Sequence, residues 1–154
     1  LVGDHARDKD AVVASMILVE CADMLKRQGK TLVDKLNEIY AEFGRYSHKL
    51  VSKEFAGASG AAKMKELLTS FRNSSFDEVG GKKVLEKIDL LGKNVLGLPS
   101  SNVIMLNLSD NAQLIVRPSG TEPLIKFYMT AAESDEKNAV TFEKMTQFID
   151  KIFA

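Results

Sequence analysis

A chain of 154 residues with 45% hydrophobic content can bury a core of ordinary size, so it holds one domain, or one domain with part of another. Lysine plus arginine and aspartate plus glutamate number 21 each, and this zero formal charge argues against nucleic acid or an anionic membrane as the main partner. The single cysteine, Cys21, cannot form an internal disulfide, so a reducing cytoplasm is the expected setting.

The longest nearly apolar run, Ala11 to Val19, is broken by Ser15 and falls well short of the roughly 20 residues a membrane span requires. Asp4, His5, Arg7, Asp8, Lys9 and Asp10 mix both charge signs where a signal peptide shows a basic start and an apolar centre. The chain opens on Leu1 rather than methionine, which reads as an internal start.

Apolar spacing predicts a first helix from Asp8 to Arg27, with Val13, Ile17, Cys21 and Met24 along one face and Gly29 as its stop. Cys21 on that face reads as inert packing. Thr31 and Asp34 resemble a capping box with a shortened acid. They open a second helix whose inner stripe is Leu32, Leu36, Ile39, Tyr40 and Phe43, ended by Gly44. A third helix is expected from Ser59, burying Met64, Leu67, Leu68 and Phe71. A fourth, from Ser134 to the C-terminus, carries Phe142, Met145, Ile149 and Ile152 at helical spacing and acids in its first turn.

Between the third and fourth helices the period changes to two. Ile104, Leu106 and Leu108 alternate with their neighbours, and Leu114 and Val116 repeat the pattern across a turn at Asp110-Asn111, which reads as a hairpin. Ile125, Phe127 and Met129 make a third strand, while Leu50 to Ala56 and Val84 to Leu90 are weaker strand candidates. The order β-α-β-β-β-β-α implies an α+β fold, an antiparallel sheet with helices packed on one face. The first two helices precede the sheet, so residues 1–47 are assigned to a preceding domain and residues 48–154 to the sheet domain.

Residues with chemical meaning lie between two of the strands, in Arg117-Pro118-Ser119-Gly120-Thr121-Glu122-Pro123. Arginine offers a planar fork of donors that matches two phosphate oxygens. The Ser119 and Thr121 hydroxyls add donors, Gly120 permits close approach and unusual dihedrals, and successive backbone N–H groups in such a turn can form an anion nest. The competing reading is a plain strand-connecting turn, since proline, serine and glycine are ordinary turn residues. On composition alone that reading is the commoner one; the full string in its strand–loop–strand setting favours a phosphate site.

Arg117 through Pro123 resembles the phosphate-binding loop of the C-terminal domain of the α-D-phosphohexomutases, which include phosphoglucomutases, phosphomannomutases and phosphoglucosamine mutases. Lys126-Phe127-Tyr128 is similar to the phosphoglucomutase and phosphopentomutase branch. Gly3 to Asp10 resembles the stretch that follows the sugar-recognition loop of that branch's third domain. The resemblance implies a C-terminal domain four like the TATA-box-binding protein in fold, preceded by the last two helices of domain three. It implies an enzyme of four domains around a cleft, with domain four closing over the substrate phosphate. A phosphoserine in domain one gives its phosphoryl group to a sugar phosphate, the glucose 1,6-bisphosphate type of intermediate turns round, and its other phosphate returns to the serine. Magnesium, held by aspartates in domain two, assists. By the same resemblance Arg117, Ser119, Gly120 and Thr121 bind the substrate phosphate, and the chain's partners are the sugar phosphate and the remaining domains.

The rest of that machinery is not in this sequence. Ser47-His48 echoes the middle of the phosphoserine loop but is flanked by Arg45-Tyr46 and Lys49-Leu50, and reads as a linker. Asp8-Lys9-Asp10 lacks the family's Asp-Gly-Asp metal pattern and reads as acids in a first helical turn. The sugar loop is expected to end just before Leu1. No catalytic residue and no metal ligand is therefore assigned to this chain. His5 and Arg7 are candidates for the cleft lining, against the simpler reading of solvated residues before a helix. Two classes of function follow: part of a phosphohexomutase, catalytic only with its other domains, or a self-standing module that binds a phosphate ligand or a protein. Which sugar phosphate is turned over is not written in these residues.

Overall fold

The computed structural model of the protein describes residues 9–57, 59–92, 97 and 99–153; His5, Arg7 and Asp8 lie outside them. The chain divides into two compact units, Leu1–Arg45 and Tyr46–Ala154. That division falls two residues before the boundary expected from the sequence.

In the first unit, α1 spans Ala11–Arg27 and α2 spans Leu32–Phe43. The helix begins at Ala11 rather than Asp8 because Asp10 is its N-cap, with a carboxyl oxygen accepting the Val13 N–H at 3.0 Å. Val13, Ile17 and Cys21 are half-buried as the spacing predicts, but Met24 is 52% exposed and Leu25, at 3%, takes the inward position. The turn into α2 is the expected capping box: Asp34 accepts the Thr31 N–H at 2.7 Å and donates its own N–H to Thr31 Oγ1. The α2 stripe has the predicted spacing, yet Leu36 and Phe43 are 44% and 65% exposed. It is not the inner stripe expected of it.

The second unit carries the sheet. Its elements are β1 (Ser47–Glu54), α3 (Gly60–Asn73), β2 (Glu78–Val79), β3 (Lys82–Asp89), β4 (Ile104–Leu108), β5 (Gln113–Pro118), β6 (Leu124–Ala131) and α4 (Asp135–Ile152). The strands form one antiparallel sheet in the order β1-β6-β5-β4-β3-β2. The α+β class with an antiparallel sheet is as expected, but the order is β-α-β-β-β-β-β-α. The two-residue β2 had no periodic signal to announce it. Ser47 and His48, read as a linker, instead open β1 opposite Ala131 and Thr130.

Alternation decides which face is covered. Ile104, Leu106, Leu108, Leu114, Val116, Ile125, Phe127, Met129 and Ala131 all turn to one side and are buried. Leu68 and Phe71 of α3 join them from the same side, as do Phe142, Met145 and Ile149 of α4, in a single core. Both helices therefore lie on one face. Two tight turns keep the hairpins in register. Asp110 and Asn111 are left-handed (φ 57° and 55°), as a two-residue hairpin turn requires. Gly80 is also left-handed, and a Cβ there would stand 2.4 Å from Met145 Cγ.

Charged groups pin the edges of this core. The Lys87 ammonium donates to the carbonyls of Phe71, Arg72 and Ser74, closing the C-terminal end of α3, and burial pushes its pKa down. Lys82 reaches Asp110 at 2.8 Å and also bonds Glu133, which Lys137 contacts at 3.2 Å. One ammonium thus ties the β2–β3 turn to the β4–β5 turn and to the entry of α4. Burial opposes the charge on Lys82, but the bonds from Asp110 and Glu133 outweigh it and raise its pKa. The hydrogen bonds from Lys82 hold the Asp110 and Glu133 carboxyls below the usual carboxylate range.

Carboxyls with depressed folded pKa values contribute stability that is complete above their unfolded values, near 4, and is lost as pH falls through the folded values. The raised pKa of Lys82 affects only the alkaline side. Lys82→Met is therefore expected to lower the melting temperature most at neutral pH, with the gap from wild type closing as pH falls toward about 2. Melting curves across that range check it; a gap of constant width would show that the cluster contributes no pH-dependent stability.

Candidate phosphate site

The loop between β5 and β6 is held from inside and from beside. Ser119 N–H donates to the Leu124 carbonyl at 2.8 Å, and Leu124 N–H to the Glu122 carbonyl at 2.8 Å. Phe55 N–H, just past the end of β1, donates to the Pro123 carbonyl at 2.8 Å and so braces the loop against a third strand. Pro118 and Pro123 stiffen its two ends. Such a loop has little order left to gain when a ligand arrives.

The polar groups inside the loop are used differently from the sequence expectation. Ser119 Oγ accepts the N–H groups of Thr121 and Glu122 at 3.4 and 3.3 Å, so its own O–H is left to donate outward. Successive N–H groups do not form an open nest. Among the described residues only the Gly120 N–H in the loop lacks an acceptor, and the long Thr121 bond is the next weakest. Gly120 does not have a left-handed φ. A Cβ added there would meet nothing within 4 Å. The chain itself does not require glycine at this point; the space over its backbone is open to a visitor.

The charges come from the strands. Arg117, exposed near the end of β5, stands directly opposite Lys126 on β6, and Ser52 of β1 stands opposite Lys126 on its other side. Neither cation has an ion pair among the described residues. Like charges facing each other across a ladder destabilise it, by roughly 0.2–1 kcal/mol. An anion between them would remove that penalty. Lys126 is not among the site residues expected from the sequence, where it figures only in the Lys126-Phe127-Tyr128 string that resembles one branch of the family. The signal that finds it is register, which puts its side chain on the same face as Arg117. Thr121 and Glu122 are exposed at the tip, and a depression of about 310 Å³ lined by Glu54, Phe55, Ala56, Glu122, Pro123 and Leu124 adjoins the loop.

Beyond the cationic row the same outer face carries two further rows. Leu50, Tyr128, Ile115, Met105 and Ile88 face one another across five strands, and His48, Thr130, Gln113, Asn107 and Glu86 form the next row. In that last row His48 Nδ1 lies 3.1 Å from Thr130 Oγ1, Gln113 donates to Asn107 at 2.8 Å, and Asn107 donates to Glu86 at 2.9 Å. The described residues contain no group of three or more His, Cys, Asp or Glu placed to hold a metal ion. None of their helices is long and apolar enough to cross a membrane.

Residues 21–147 match a family described as phosphoglucomutase/phosphomannomutase, C-terminal domain. A probable phosphomannomutase of Haemophilus influenzae is 38% identical over 136 residues, 88% of this chain and 27% of its own length. A phosphoglucomutase of Staphylococcus haemolyticus is 35% identical over 159 residues, covering 97% of this chain and 28% of the relative. The chain thus spans about a quarter of the curated relatives it matches. Among solved structures, the open form of parafusin from Paramecium, titled a phosphoglucomutase, aligns over 97% of this chain and 28% of its own, with a TM-score of 0.59 and 20% identity. At that identity the likeness concerns the fold alone.

The opposed cations give a direct test. Without added anion, Lys126→Met is expected to melt at the wild-type temperature or up to a few degrees above it, because a repulsion of roughly 0.2–1 kcal/mol is relieved. Inorganic phosphate is then expected to raise the melting temperature of wild type more than that of the variant. Equal phosphate stabilisation of both proteins would exclude Lys126 from the site.

Proposed function

The chain belongs to the phosphoglucomutase/phosphomannomutase family by its C-terminal domain, and on that premise we propose that its sheet domain holds the phosphate of a sugar phosphate while other parts of a longer mutase perform the transfer. The observation that carries this reading is the pair of unpaired, directly opposed cations, Arg117 and Lys126, at the root of a braced loop. The Ser119 hydroxyl and the Gly120 N–H add two donors beside them. Arg117 supplies a two-pronged contact to two phosphate oxygens, Lys126 a point charge, and the backbone a dipole. Thr121 joins if its long bond to Ser119 is exchanged for one to the ligand.

In the whole enzyme the reaction is the interconversion of sugar 1- and 6-phosphates. A phosphoserine oxygen gives up its phosphoryl group to a sugar hydroxyl, whose proton leaves with a base. The resulting bisphosphate turns round, and its other phosphoryl group passes back to the serine oxygen. Each phosphate is gripped here while the other reacts, so binding energy gathered away from the reacting centre holds the reacting end in place. A magnesium ion would supply charge stabilisation at the transferring group, with ligands outside this chain. The reducing cytoplasm inferred from the lone Cys21 suits such an enzyme. A self-standing module is the alternative class; relatives about four times as long, carrying this stretch as one quarter of their length, favour the mutase reading.

Two outcomes are expected. The 154-residue chain alone should show no conversion of glucose 1-phosphate, because it carries no phosphoserine loop; measurable turnover would overturn the division of labour. In the full-length enzyme, Arg117→Ala is expected to raise KM for both sugar phosphates by roughly ten- to a hundredfold, the value of a charge-assisted hydrogen bond of about 1.5–3 kcal/mol. Arg117→Lys restores part of it, keeping the charge and losing the fork. The melting temperature should stay at the wild-type value or rise by up to a few degrees, since the side chain is exposed and its repulsion with Lys126 is removed. Unaltered kinetics in a normally folded Arg117→Ala enzyme would reduce the loop to a turn.

A further inference from the structure

The loop and the cationic row account for a phosphate and leave the adjacent row of the same face unexplained. Leu50, Tyr128 and Ile115 stand side by side on β1, β6 and β5, one row along from Ser52, Lys126 and Arg117. Leu50 is 54% exposed, and Tyr128 and Ile115 are half-buried. The Tyr128 hydroxyl has no hydrogen-bond partner among the described residues. The geometry points to this row, with Tyr128 at its centre, as the platform on which the sugar ring of the bound sugar phosphate rests. The inference builds on the phosphate reading above and adds a specificity-determining residue to it.

Order and spacing along the strand support it. Tyr128 lies two residues from Lys126 on β6, on the same face, so their Cβ atoms are about 6.8 Å apart. The ring of a sugar phosphate held between Arg117 and Lys126 comes over the Tyr128 ring if the ligand lies along the strand. A sugar presents C–H groups on its faces and hydroxyls around its rim. The aromatic face meets the former, while the phenol O–H and the next row meet the latter. In that next row Gln113 uses its amide N–H on Asn107, which leaves its carbonyl oxygen as an acceptor, and Thr130 and His48 stand beside it.

Charge selects the direction. The row on the Tyr128 side of the cations carries no carboxylate in β1, β6 or β5, whereas the row on the other side has Glu54 opposite Leu124. A phosphate ester extending toward Tyr128 meets no anion, and one extending toward Glu54 does. A protein partner covering the apolar row would need no cations beside it. A small anionic ligand with an apolar face uses both rows at once.

The experiment is an NMR titration of the 154-residue chain with inorganic phosphate and with glucose 1-phosphate, at about pH 8 where both are largely dianions. Wild type is expected to bind glucose 1-phosphate at least fivefold more tightly than inorganic phosphate, with Tyr128 and Thr130 amides shifting only for the sugar ester. Tyr128→Ala should erase that preference and leave the affinity for inorganic phosphate within twofold of wild type; Tyr128→Phe should retain most of the preference. Arg117→Ala should weaken both ligands. If inorganic phosphate shifts the Arg117–Thr121 amides but glucose 1-phosphate binds no tighter, or Tyr128→Ala keeps the preference, the platform is wrong and the phosphate site stands. If inorganic phosphate leaves that loop unmoved, both readings fall.

Discussion

The chemistry of the outer face depends on a constraint imposed from the inner one. Along β4, β5 and β6 every second residue is buried against α3 and α4, from Ile104 to Ala131. A slip of one residue in any of these strands would turn its whole apolar set to solvent and bring polar side chains into the core. The register is therefore fixed by packing, at a cost no single outer-face residue can overcome. What stands opposite what on the other face follows without further choice. Arg117 meets Lys126 because Val116 meets Phe127 and Leu114 meets Met129 on the covered side.

In the proposed function, two like charges held together by a register they do not control are preorganised for an anion. In a flexible loop the two cations would move apart and solvate separately, and a ligand would have to gather them again. Here the repulsion is already part of the folded state, and an anion that removed it would gain that free energy on binding. The loop beyond them follows the same logic. Its backbone is tied by Leu124, by Glu122 and, from just past the end of β1, by Phe55, so the donors left over are few and fixed in place.

How much of this could be read from the sequence follows the physics of each element. The strands β4 to β6 were plain because one face is wholly apolar, and α3 and α4 because their stripes complete the same core. The start of β1 at Ser47-His48 is hidden in the sequence because the inward positions of the strand are Ser47, Lys49, Val51 and Lys53. Lys53 satisfies its charge at an edge, on Asp150 at 2.5 Å, so hydropathy alternation fails there. Two residues of β2 are too few to show any period. In α2 the stripe is legible in the sequence and its burial is not, because spacing tells which face is apolar and never what covers it. Arg117 and its loop stood out as a string of residue types. Lys126 and Tyr128 figure there only in a family-like string and Ser52 not at all, since their place beside the loop lies in pairing across strands, and the nest is not open because the Ser119 hydroxyl occupies its N–H groups.

The composition of the site also bears on which ligand feature it can sense. A guanidinium, an ammonium, a hydroxyl and a backbone N–H recognise a phosphate by charge and by oxygen geometry, and a phosphate offers the same oxygens whether its ester joins carbon 1 or carbon 6 of a sugar. A grip made of these groups alone is indifferent to the ester, and indifference is what a site needs if it must hold both ends of one bisphosphate in turn. Discrimination among sugars then has to come from groups that never touch the phosphate. On this domain the groups proposed for it are the rows next to the cations. An aromatic ring between two aliphatic side chains suits that role, because it accepts a sugar face in either orientation and adds affinity only for ligands that bring a ring.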